Sequence, residues 1–85
     1  MSTLQALINQ KNQWNAIFKG EQFEIATAKG RQRVAAMIDS DLSPENLTCD
    51  GELPRSQVQA KHRTLTAAAK ELVKLDPSVK IYELS

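Results

Sequence analysis

The stretch from Pro54 to Leu75 constrains this chain most, because it carries the signals of one long amphipathic helix at both ends. Proline suits the first helical turn, where its missing N–H has no helical acceptor to lose, and Asp76-Pro77 ends the run because the residue before a proline is driven out of the helical region. Inside these limits Val58, Leu65 and Leu72 recur every seven residues, with Ala68 and Leu75 between them and Lys61 as the exception. That is a coiled-coil-like seam, and Ala67, Ala68 and Ala69 leave so little bulk that another helix can approach closely.

A seam of this length needs cover, either from the rest of an 85-residue chain, which is enough for one domain and no more, or from a partner. Domains of this size bury only about 60% of their unfolded surface, so support from a second copy or another protein is a reasonable expectation. The segment from about 3 to 18 reads as a first helix: Ser2 or Thr3 caps it, Leu4, Leu7, Ile8, Trp14, Ile17 and Phe18 share one side, and Lys19-Gly20 ends it. Its polar side is rich in amides (Gln5, Asn9, Gln10, Asn12, Gln13 and Asn15), with no internal use evident from the sequence. A second helix is expected from about 21 to 38, with Phe23, Ala26, Val34, Met37 and Ile38 on its inner face and Glu21 and Glu24 near its positive end. Gly30 then falls in mid-helix, at a cost of about 0.8–1 kcal/mol relative to alanine unless another helix approaches there. The competing reading is a small hairpin at about 22–36, turning at Lys29-Gly30, which would make the chain α+β.

Residues 39–53 form the expected connector, with turn signals at Ser43-Pro44 and Asp50-Gly51 and with Leu42 and Leu47 pinning it to the core. After Pro77 the alternation of Val79, Lys80, Ile81 and Tyr82 gives a short extended arm rather than a sheet, since it has no mate. The expected fold is therefore all-α: a single three-helix domain, residues 1–85, with an acidic connector before a long C-terminal helix and a short extended tail. Its predicted core is Leu4, Leu7, Ile8, Trp14, Ile17, Phe23, Val34, Met37, Ile38, Leu65, Ala69 and Leu72.

A formal net charge of +1 hides a segregation along the chain. Asp39, Asp41, Glu45, Asp50 and Glu52 occupy the connector without one basic residue, whereas the long helix holds Arg55, Lys61, Arg63, Lys70 and Lys74 against Glu71 alone. The start of the chain has neither a basic n-region nor an apolar h-region, and no run is long enough to span a membrane, so a cytoplasmic protein is expected.

Catalytic chemistry finds little support. The one histidine, His62, has no evident orienting partner, and Asp50 beside the one cysteine, Cys49, raises rather than lowers a thiol's pKa. One cysteine and one histidine do not make a usual zinc site, and the acidic connector lacks the spacing of a calcium loop. There is no glycine-rich phosphate loop, and Asn46-Leu47-Thr48 matches the glycosylation sequon only by chance if the chain is not secreted. No enzyme activity, cofactor or metal is expected.

Two binding readings follow. The first is a non-enzymatic protein–protein interaction module, a small regulatory or accessory subunit using the seam of Val58, Leu65, Ala68, Leu72 and Leu75 against an unidentified protein or a second copy. Trp14, Phe18 and Phe23, clustered near the first turn, are core residues or interface anchors. The second is a nucleic-acid-binding regulator using the stripe of Arg55, Gln59, Arg63, Lys70 and Lys74, in which Gln59 and Arg63 are of the types that read base edges, with Lys29, Arg31 and Arg33 as a further basic cluster.

Overall fold

The computed structural model describes residues 2–18, 23–43 and 55–84 and contains three α-helices among them: α1 (Thr3–Phe18), α2 (Ala28–Leu42) and α3 (Arg55–Leu75), followed by a 3₁₀ turn at Tyr82–Leu84. The all-α expectation holds. There is no strand among the described residues, and the hairpin at 22–36 is replaced by a helix from Ala28 onward.

The amphipathic stripe of α3 forms the floor of the core. Leu65, Ala68, Ala69 and Leu72 are buried there, and α1 and α2 both pack on them. The alanines make room for both helices on one side of α3. α1 contributes Leu4, Leu7 and Ile8, and α2 contributes Val34, Ala35, Ile38 and Leu42. α1 runs antiparallel to α3: the Leu4 N–H donates to Glu71 Oε2 at 2.6 Å, while Leu7 and Lys11 face Lys61 and Leu65 across a groove. The start of α1 is capped by Ser2, whose hydroxyl accepts from the Gln5 N–H at 3.1 Å. Glu71 adds a negative charge at the same positive helix end.

α2 also starts beside the C-terminal end of α3, so the chain leaving α1 must travel back along it. This overturns the expected start of the second helix at 21. Helical residues advance only about 1.5 Å each and extended ones about 3.3 Å, so the irregular residues 23–27 cover more of the return than the same number in a helix would. Phe23 is held beside mid-α1 by Asn12, whose carboxamide accepts from the Phe23 N–H and donates to the Phe23 carbonyl at 2.9 Å. Ile25, two residues on, borders a groove with Ser2 and Leu4 at the start of α1. Asn12 therefore has the internal use that the amide-rich face did not reveal, and Gln5 pairs with Asn9 on the same helix at 3.0 Å.

Thr27 then begins α2 as its N-cap, with extended backbone and a hydroxyl that accepts from the Gly30 N–H at 3.0 Å. Gly30 thus lies in the first turn and not in mid-helix. What approaches it is the backbone of Glu24 rather than a helix: a methyl group at Gly30 would run into the Glu24 carbonyl and sit 3.0 Å from the Thr27 hydroxyl. The helix also continues past its expected end at 38, taking Asp39–Leu42 from the expected connector. Burial of Leu42 one turn beyond Ile38 overrides the weak helix propensity of Asp39, Ser40 and Asp41.

The tail is extended only through Ile81. Val79 and Ile81, absent from the predicted core, are buried against it, and the 3₁₀ turn that follows is fixed by a bond from the Glu83 N–H to Asp39 Oδ1 at 2.8 Å. Met37 and Phe23 are half-buried. The expected core side chains Trp14 and Ile17, with Phe18, and the connector residues Glu45, Leu47, Cys49, Asp50 and Glu52 lie outside the described residues, as does the sequon asparagine Asn46.

Two substitutions test this account. Gly30→Ala is expected to destabilise the domain by about 1–3 kcal/mol in a denaturant titration, because the new methyl meets main chain that cannot move aside cheaply. Asn12→Ala should cost a similar amount, about 1–3 kcal/mol for two hydrogen bonds, whereas Gln13→Ala on the exposed face should change the midpoint little.

Candidate functional site

α3 has two unlike sides. On its inner side the seam is engaged in the chain's own core: Leu65, Ala68 and Leu72 are 3%, 0% and 0% exposed. Val58 is half-buried and Leu75 is 56% exposed, so only the ends of the seam are accessible. On the outer side Arg55, Gln59, Arg63, Lys70 and Lys74 are all exposed. Arg63, Lys70 and Lys74 fall within a narrow sector opposite the core, because spacings of seven and four keep side chains on one helical face.

The charge balance of this face follows from what the acidic residues do. Among the described residues, Asp41 pairs with Lys11 at 3.0 Å, Asp76 pairs with Arg31, Asp39 accepts from the Glu83 N–H, and Glu71 accepts from the Leu4 N–H. Each carboxylate ties one segment to another. Arg55, Arg63, Lys70 and Lys74 make no ion pair with a described residue, and Glu71 is the only acid in α3. The outer face of α3 is therefore cationic without local compensation among the described residues, although the chain as a whole is nearly neutral.

The second basic cluster does not survive as a unit. Arg31 is half-buried: its Nε donates to Asp76 Oδ2 and its Nη1 to the Ile25 carbonyl at 3.0 Å, which locks the return segment, the start of α2 and the end of α3 together. Arg31 is a structural clamp, not a free cation. Lys29 and Arg33 are exposed, but they share α2's first turns with this clamp, at the opposite end of α3 from Arg55. Asp76 is held below its ordinary carboxylate value first by the Ser78 hydroxyl, which donates to Oδ1 at 2.6 Å, and next by the bond from Arg31. The Ser78 N–H, 3.1 Å from the same oxygen, adds to the effect.

Open grooves border the helices among the described residues. One of about 510 Å³ lies between the three helices, lined by Leu7, Gln10, Lys11, Asp41, Lys61 and Leu65 among others. A second, of about 770 Å³, follows the outer face of α3 past Gln59, His62, Arg63 and Lys70. The third, of about 350 Å³, has Leu75 on its rim. His62 is exposed and makes no hydrogen bond or ion pair with a described residue, and no group of three His, Cys, Asp or Glu side chains gathers among the described residues. No helix among them is long and apolar enough to cross a membrane.

Fold and surface together define a small all-α domain with one polarised helix. Compared with protein-family models, curated proteins and solved structures, the chain matches none.

Sequence reasoning found the exposed stripe but missed Asn12, Glu71 and Asp76 as positioning residues. The signals that could have found the caps are local ones: Thr27 three residues before Gly30, and Asp76-Pro77-Ser78 as a side-chain-capped turn. The clamp has a titration signature. Because Asp76 is depressed in the folded chain, its stabilising contribution is complete above the ordinary value of 3.8 and is lost as pH falls through the lower folded value. Ser78→Ala is expected to move the Asp76 carboxyl titration, followed by carbon NMR, back toward 3.8 and to bring the acid loss of stability to higher pH.

Proposed function

We propose that this chain is a non-enzymatic interaction module that binds nucleic acid through the outer face of α3. The observation that carries the reading is the row of exposed cations Arg55, Arg63, Lys70 and Lys74, unpaired among the described residues, on a helix whose only acid is engaged at the start of α1. A phosphate backbone supplies the missing counter-charge, and its own condensed ions are released when such a row binds. From Arg55 to Lys74 the row extends for about 28 Å at 1.5 Å per residue, long enough to address several phosphates.

The reading built on a protein partner or second copy has less to rest on. Docking on Leu65, Ala68 and Leu72 would require opening the core that they floor. Of the seam, the half-buried Val58 and the exposed Leu75 remain accessible at its two ends, against the roughly 20–30 residues a side of a standard interface.

The test is fluorescence anisotropy with a labelled mixed-sequence DNA at several salt concentrations. Binding should weaken steeply as salt rises, and changing Arg63 and Lys70 together to Gln should reduce the salt slope by about 0.9 for each phosphate left without its cation. Lys80→Gln, on the tail, should leave both affinity and slope unchanged. No binding at about 50 mM salt, or an unchanged slope in the double variant, would reject the proposal.

A further inference from the structure

The two halves of α3 differ in a way that the charge row alone does not explain. From Leu65 onward the helix lies on the core, but every residue from Arg55 to Thr64 is exposed except the half-buried Val58. The first half of α3 is thus an arm with its outer side open to solvent, while on its inner side Val58 packs against the core and Lys61 borders the groove toward α1. It carries Arg55, Lys61, His62 and Arg63, the amides Gln57 and Gln59, the hydroxyls Ser56 and Thr64, and no acid. A helical stretch with so little apolar surface gains little from packing. Arg55 also sits in the first turn of the helix, at its positive end and with no acidic residue beside it there, where a cation is unfavourable. Local choices that oppose stability mark places where another requirement has set the sequence.

We propose that this arm enters the major groove of duplex DNA, with Gln59 and Arg63 facing base edges and Lys70 and Lys74 on the flanking backbone. The inference rests on the nucleic-acid reading above and commits it to one form. Ten helical residues give a rod about 15 Å long and 10–12 Å across, which suits a major groove about 12 Å wide. Gln59 and Arg63 are one turn apart on the same side; Gln pairs in bidentate fashion with adenine and Arg with guanine. Lys70 and Lys74 lie about 10 and 16 Å further along the axis than Arg63, beyond the groove and at the level of its phosphates.

The alternatives fit less well. The deep, narrow major groove of an RNA duplex excludes a helix. Single strands are held by stacking on aromatic rings, and the arm has none; the exposed aromatic among the described residues is Tyr82, on the tail.

The experiment is selection of the full chain against a pool of random-sequence duplex DNA, followed by affinity measurement on the enriched sequence, its scrambled counterpart, the corresponding single strand and an RNA duplex. The inference expects a short enriched motif, bound at least about 10-fold more tightly than the scrambled duplex. Arg63→Ala or Gln59→Ala should remove about 10- to 100-fold of that preference and relax one position of the motif, with helical circular dichroism retained. Lys70→Gln with Lys74→Gln should weaken both duplexes alike. Salt-sensitive binding without an enriched motif, or tighter binding to single strands or duplex RNA, overturns the groove assignment while leaving the charged face as the contact surface. Absence of binding to every nucleic acid overturns both.

Discussion

Everything in this fold depends on two helices sharing one side of a third. The inner side of α3 is narrow, and Ala68 and Ala69, both fully buried, bring the axes of α1 and α2 close enough for Leu4, Ile8, Val34 and Ile38 to meet over Leu65 and Leu72. Larger side chains at the two alanines would push α1 and α2 apart and leave gaps that the domain cannot fill, since close-packed interiors tolerate neither voids nor excess volume. Because α1 and α2 both run against α3, they run parallel to each other. The link between them must therefore cross the length of a helix, and Asn12, Thr27, Gly30 and Arg31 are all occupied in making that crossing.

The same requirement explains the distribution of charge. A small core cannot hold a return segment and a tail by apolar contact alone, so carboxylates do part of the work: Asp76 at the α2–α3 junction, Asp39 at the tail, Asp41 between α1 and α2, Glu71 at the first turn of α1. Such bonds are individually modest, about 0.5–1.5 kcal/mol each, and they add to the apolar contacts that Phe23, Ile25, Val79 and Ile81 make with the core. Their consequence for the surface is asymmetry. These acids face their partners, and Arg55, Arg63, Lys70 and Lys74 of α3 are left outside with none among the described residues.

The long helix was legible because its signals are local: a proline at the start, Asp76-Pro77 at the end, and a regular apolar spacing between. The first helix was legible for the same reason. α2 was misplaced at both ends because its limits are set by tertiary demands, at the start by the distance the chain must cover and at the end by the burial of Leu42. The seam and the stripe were both visible in the sequence, yet periodicity cannot say whether an apolar face meets its own chain or another. Nor could it show that Arg31 is tied down while Lys29 beside it is not, because Asp76 is 45 residues away.

The contact between Leu4 and Glu71 joins positions 67 residues apart, and the buried Val79 and Ile81 lie later still. Loop closure over such a span has an entropic cost before any burial offsets it, which slows the search for the native state. It also sets an order during synthesis. α1 and α2 emerge before the helix on which both pack, with only each other to bury against. Until the long helix clears the ribosome, the first half of the chain is a pair of amphipathic segments with partly bare apolar faces, and the domain assembles only as α3 and the buried residues of the tail arrive.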